Sequence, residues 1–131
     1  MFTHVNYVMV NVSEMGRAVA FYRDTLGLPL KFESPGWTEF ATGASTLALH
    51  LSPCGEQKAG PFTGPSAGSC SLGFSVEDID ASWKKLQARG ARFVVPPTLR
   101  EEEGIRLAVF LDPDGLAISI AEPVAKAEPH A

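Results

Sequence analysis

His50 has the widest chemical reach of any side chain in this sequence. An imidazole ordinarily titrates at about pH 6.5, so near neutrality it can give a proton, take one, or hold a hydrogen bond. It lies in Thr46-Leu47-Ala48-Leu49-His50-Leu51, an alternating stretch that reads as a strand. Glu39, in Trp37-Thr38-Glu39-Phe40, can sit on the neighbouring strand of the same half-sheet. There its carboxylate would orient the imidazole or raise its pKa by opposite charge. His50 and Glu39 are therefore the candidate catalytic pair, for acid–base work. The simpler reading of His50 is a cavity-facing histidine that only hydrogen-bonds. Tyr7, Met9 and Trp37 would supply aromatic and soft apolar surface for a planar organic ligand. Small-molecule pockets combine a mostly apolar wall with a few placed polar groups, and these five side chains have that composition.

Other reactive residue types carry less. His4 precedes Tyr7 by three residues and so falls on the opposite face of its strand. His130 lies in the C-terminal tail. Cys54 and Cys70 bracket a loop-like stretch, which makes a disulfide conceivable, but a reducing cytosol favours two free thiols. Neither belongs to a CxxC pair, and both read as structural. Asp112-Pro113-Asp114-Gly115 is a sharp turn signal: aspartate bonds its own backbone two residues on, and Asp-Gly suits positive φ. Two aspartates invite a metal reading, but the turn is the stronger one.

The elements that must position these residues come as a repeat. Val10-Asn11-Val12-Ser13-Glu14-Met15 leads into a helical stretch ending at Leu26-Gly27, and Phe74-Ser75-Val76-Glu77-Asp78-Ile79 leads into another ending at Arg89-Gly90. The first strand, Val5 to Val12, alternates Val8, Val10 and Val12 with Tyr7, Met9 and Asn11, so the valines should meet the helices. Ser13 is the expected N-cap of helix one, whose stripe is Met15, Ala18, Val19, Tyr22 and Leu26; Gly27 and Pro29 stop it. Asp78 caps helix two, with Ile79, Trp83 and Leu86 as its stripe and Gly90 as its stop. Each helix is followed by a strand, a hairpin and a closing strand, the last being Leu116 to Ala121 in the second copy. Pro96-Pro97 should end a strand, and Arg100 to Gly104 makes a polar hairpin tip.

This is an α+β chain: tandem βαβββ modules, 3–52 and 70–122, forming a curved mixed sheet around a cavity in one domain spanning 1–122. The proline- and glycine-rich connection 53–69 reads as a tether or a flap, and 123–131 as a frayed tail. The absence of a His50 counterpart in the second copy, where Ala121 stands, places any chemistry in the first half.

Composition narrows the function class. At 131 residues, 45% hydrophobic and 20% charged, the chain can bury a core of its own. A net charge of −4 without a Lys/Arg run speaks against nucleic acid. No apolar stretch approaches the roughly 20 residues of a membrane span, and no signal peptide is seen, so the expectation is a cytoplasmic protein without membrane contact.

The repeat, with Arg17-Ala18-Val19-Ala20-Phe21-Tyr22-Arg23-Asp24-Thr25-Leu26-Gly27 and the Asp112–Gly115 turn, resembles the vicinal-oxygen-chelate superfamily: glyoxalases, bleomycin-resistance proteins and extradiol dioxygenases. The resemblance runs from about Thr3 to Glu122. It implies paired modules, a dimer, and a divalent metal held by His, Gln or Glu on the first and last strand of each module. Carried onto this sequence, those positions are Tyr7, Ala48, Ser71 and Ser119, none of which is such a ligand. The expectation is a homodimeric small-molecule binder with no metal ligands and no cofactor, in which Tyr7, Met9, Trp37, Ser71 and Ser119 face the ligand. The alternative is a lyase, isomerase or dioxygenase of glyoxalase type acting through His50 and Glu39, with or without a divalent metal.

Overall fold

A computed structural model of the chain describes residues 1–52 and 70–124. The tether-or-flap reading of 53–69, Cys54 with its pairing, and His130 lie outside the described residues. The chain divides into two compact units, Met1–Ala59 and Gly60–Ala131, and each carries its own four-stranded sheet.

In the first unit the order is β1 (Tyr7–Val12), α1 (Met15–Ala20), a π-helical turn (Phe21–Thr25), β2 (Leu30–Phe32), β3 (Trp37–Thr42) and β4 (Ser45–Leu51). Across the sheet the strands run β1-β4-β3-β2, with β1 parallel to β4 and the other pairs antiparallel. Period-two alternation then sorts the side chains. Val10, Val12, Leu47, Leu49, Thr38 and Phe40 are buried on one face, with Met15, Ala18, Val19 and Tyr22 of the helical segment buried as well. Tyr22 is fully buried with its ring 6.2 Å from that of Phe40. Burying a side chain of this class is worth roughly 1.5–3 kcal/mol, so this face holds the unit together.

The start of α1 differs from expectation. Its cap is Glu14, whose carboxylate accepts from the Gly16 and Arg17 amides, both at 2.9 Å. Ser13 instead accepts from the Arg17 guanidinium at 2.8 Å. The helix begins at Met15, which moves the capping position to residue 14, and Glu14 has the reach to serve two amides. Nor is the helix α throughout. The Leu26 amide bonds to the Phe21 carbonyl at 3.0 Å, a wider turn that delivers the chain to Gly27 at φ 75°.

The second unit repeats the plan: β5 (Leu72–Ser75), α2 (Ile79–Ala88), β6 (Arg92–Arg100), β7 (Ile105–Leu111) and β8 (Ala117–Pro123), ordered β5-β8-β7-β6. Asp78 caps α2 by accepting from the Ala81 amide at 3.1 Å, as expected. Glu122, on the helix side of β8, adds a second acceptor at 3.2 Å from the Ile79 amide. Buried Ile79, Ala108, Phe110, Ile118 and Ile120 form this core.

Two boundaries are corrected. Pro96-Pro97 does not end a strand: β6 continues to Arg100 across a register shift between Val95 and Thr98. β6 is a sheet edge, where a missing N–H costs no ladder bond. The closing strand runs on through Pro123, and the Val124 amide bonds to the Gly104 carbonyl at 3.0 Å, so 123 is not the first residue of a loose tail. The Asp112–Gly115 segment is a turn, as read, with Gly115 at φ 88°. Among the described residues no helix is long and apolar enough to cross a membrane.

Candidate functional site

The register of the first sheet decides what shares its open face. Met9 lies beside Ala48, which lies beside Glu39; Asn11 lies beside His50, which lies beside Trp37; Tyr7 lies beside Thr46. One face therefore gathers Tyr7, Met9, Asn11, Trp37, Glu39, Thr46 and His50, opposite to the face of buried valines and leucines. Tyr7 and Met9 keep 50% and 45% of their surface exposed. Large apolar side chains left open beside fixed polar groups form a contact surface rather than a core.

Trp37 is the centre of the arrangement. Its ring meets Tyr7 edge-on at 5.9 Å and His50 edge-on at 6.1 Å. Its indole N–H donates to the Glu39 carboxylate at 2.8 Å. The other Glu39 oxygen lies 3.8 Å from the Lys31 ammonium, which donates to the Thr46 hydroxyl at 2.9 Å. Half-exposed as it is, that ion pair contributes no more than about 1 kcal/mol, and its use is to fix position. Asn6, Tyr7, Lys31, Trp37, Glu39 and Thr46 line a cavity of about 330 Å³. That is near the lower end of small-molecule pockets, and its lining combines two aromatic rings with one charge of each sign.

His50 and Glu39 are on the same face but are not partnered. Glu39 pairs across the sheet with Ala48, one step along from His50, and its carboxylate is taken by Trp37 and Lys31. The imidazole Nδ1 lies 3.1 Å from the Asn11 side-chain oxygen. Asn11, not Glu39, therefore orients the ring; with Nδ1 donating, Nε2 is the basic nitrogen. Trp37 contacts both of the groups expected to act together.

Ser71 and Ser119 belong to the second unit. Ser71 is exposed just before β5. Ser119 is half-buried on β8 beside Gly73, with its hydroxyl 3.4 Å from the Leu72 carbonyl. A side chain on Gly73 would stand 3.1 Å from that hydroxyl, so Gly73 leaves Ser119 its room. Five of the seven expected site residues thus share one sheet face, while Ser119 lies on the other sheet and Ser71 just before that sheet's first strand.

A divalent metal does not fit the residues at the ligand positions that the resemblance implies. Ala48 has no donor atom and is fully buried, Ser119 is engaged with the backbone, and Tyr7 stands in an aromatic contact. Among the described residues no group of three or more His, Cys, Asp or Glu could hold an ion.

Lys31, Thr46 and Asn6 were not singled out from sequence. Lys31 sits in a three-residue strand, Leu30-Lys31-Phe32, too short for alternation to register. The signal available was its position between two apolar residues, which turns it away from Leu30 and toward the open face.

Residues 4–120 match the Glyoxalase/Bleomycin resistance protein/Dioxygenase superfamily. YraH, an uncharacterized protein of Bacillus subtilis (strain 168), is 30% identical over 116 residues, spanning 83% of this chain and 90% of that protein. The crystal structure of SMU.1112c superposes with a TM-score of 0.80 at 25% identity, covering 93% of this chain and 100% of that one. TnmS3, an antibiotic binding protein from Streptomyces sp. CB03234, superposes with a TM-score of 0.73 at 29% identity, covering 93% of this chain and 97% of that one.

Proposed function

The chain belongs to the glyoxalase/bleomycin resistance protein/dioxygenase superfamily, and on that footing we propose that it binds a planar organic small molecule without a metal cofactor. The ligand lies on the open face of the first sheet, against Tyr7, Met9 and Trp37. The protein works as a cytoplasmic homodimer. The observation that carries this reading is the Trp37 indole, fixed by Glu39 at 2.8 Å and flanked edge-on by Tyr7 and His50 beside an open cavity. A ring already held in place loses little freedom when a ligand stacks on it. The likeness to an antibiotic binding protein supports the same class of function.

A second reading keeps one specific support. With Nδ1 tied to Asn11, His50 presents Nε2 as a base, the arrangement acid–base catalysis uses. On that reading the chain is a lyase or isomerase, with His50 moving the proton and Glu39 holding Trp37 in position; dioxygenase chemistry would need an oxygen-activating metal besides.

A thermal-shift screen against antibiotics and metabolites separates the two, because a ligand that binds only the folded state raises its apparent stability. A hit should stabilise the wild type and lose its effect in Trp37→Ala. For that hit, His50→Gln should weaken binding if His50 is a contact; if His50 is a base, affinity persists and turnover disappears. One tightly bound Fe, Mn, Ni or Zn per chain in protein purified without chelator would overturn the metal-free reading.

A further inference from the structure

The cavity beside Trp37 holds one positive and one negative side chain, and their spare capacity indicates the kind of ligand edge that fits. The Lys31 ammonium donates to Thr46 at 2.9 Å and faces Glu39 only at 3.8 Å, beyond hydrogen-bond length. An ammonium therefore keeps N–H donors to direct into the cavity. The Glu39 carboxylate takes the Trp37 N–H on one oxygen, while the other oxygen, turned toward Lys31, retains lone pairs. Donor and acceptor thus stand side by side in the cavity lining, together with Tyr7 and Trp37.

The two charges cancel, so a ligand bearing a net charge would attract one partner and be repelled by the other at nearly equal range. A neutral edge with an acceptor next to a donor satisfies both. Resting on the reading of this face as the ligand site, we infer that the protein selects a neutral planar molecule carrying a lactam, amide or imide edge. Lys31 donates to its carbonyl and Glu39 accepts from its N–H, while the ring system lies against Trp37.

Three probes built on one bicyclic ring system test this by titration calorimetry on the full chain: 2-quinolone (neutral lactam), quinoline-2-carboxylate (anion) and 1-methylquinolinium (cation). The wild type should bind 2-quinolone about threefold or more tighter than either ion, since a charge-assisted hydrogen bond is stronger than a neutral one but is weakened at a half-exposed pair. Lys31→Met leaves Glu39 unopposed and should turn the preference to 1-methylquinolinium. Glu39→Gln keeps an acceptor for the Trp37 indole, leaves Lys31 unopposed, and should turn the preference to quinoline-2-carboxylate. An ion binding tightest to the wild type, or an order that neither variant changes, overturns the inference. If all three probes depend on Trp37 alone, the ligand face stands and the lactam selectivity falls. If none of the three binds, both fall.

Discussion

Asp112 closes the turn that sets the last strand of the second sheet, and its replacement has a cost that can be worked out. Asp112 is 5% exposed, and one carboxylate oxygen accepts from the Asp114 amide at 2.9 Å and the Leu116 amide at 2.8 Å. Two backbone bonds run alongside, Asp112 amide to Leu116 carbonyl at 2.9 Å and Gly115 amide to Asp112 carbonyl at 3.0 Å. Asp112→Ala strands two amides, at about 1–3 kcal/mol each when buried. Asp114 and Leu116 are half-buried, so water reaches part of the turn and the total should be about 2–3 kcal/mol. Asp112→Asn keeps the acceptor and loses only charge assistance, about 0.5–1 kcal/mol. For a chain of this length each kcal/mol moves Tm by about 3–4 °C, so the alanine variant should melt about 6–12 °C lower and the asparagine variant about 2–4 °C lower. Circular dichroism melts at neutral pH, with urea titrations beside them, read both. An alanine variant within about 1 °C of wild type, or an asparagine variant as damaged as the alanine one, would refute the assignment of the cost to the two stranded amides.

Two further outcomes follow from the helix ends and from one ion pair. Glu14→Ala should cost about 1 kcal/mol in urea unfolding while Ser13→Ala stays within about 0.5 kcal/mol; the reverse order would restore Ser13 as the cap. The Arg106 guanidinium bonds Asp80 at 2.7 Å and holds its carboxyl below the usual value of 3.8. A depressed carboxylate pKa contributes stability that is fully present above the unfolded value and lost as pH falls through the lower folded one. The stability gap between wild type and Asp80→Asn should therefore be flat from neutral pH down to about 5 and close only under stronger acid. A gap that widens with acid contradicts the pairing.

Much of the architecture was legible residue by residue. The Val8, Val10 and Val12 alternation pointed to the inner face of β1; Val10 and Val12 are buried there, whereas Val8, near the start of the strand, stays exposed. Gly27 and Gly90 mark helix ends at positive φ, and Asp78 caps where it was expected to. Ser13 misled because a capping preference is shared among neighbouring polar residues, and the start of the buried stripe at Met15 selects between them. Pro96-Pro97 misled because proline is excluded only from strands paired on both sides, and which strand is an edge is not a local property. For the site, parity set Tyr7 and Met9 on one face of β1; Trp37, Glu39 and His50 join them through the register of the sheet. Parity does not say which neighbours touch.

Sequence alone therefore determined the two βαβββ copies and the side of the first strand that meets its helix. These follow from short-range rules: the two-residue period of a strand, the roughly three-and-a-half-residue period of a helix, and the backbone freedom of glycine. Tertiary structure decided the chemistry of the open face. Cross-strand register set Trp37, not Glu39, opposite His50, gave the imidazole to Asn11, and brought Lys31 to Thr46, fifteen residues away along the chain. Register is fixed by burial of the opposite face, a property of the whole sheet, and so the partners of a charged side chain are settled only when every strand has taken its place.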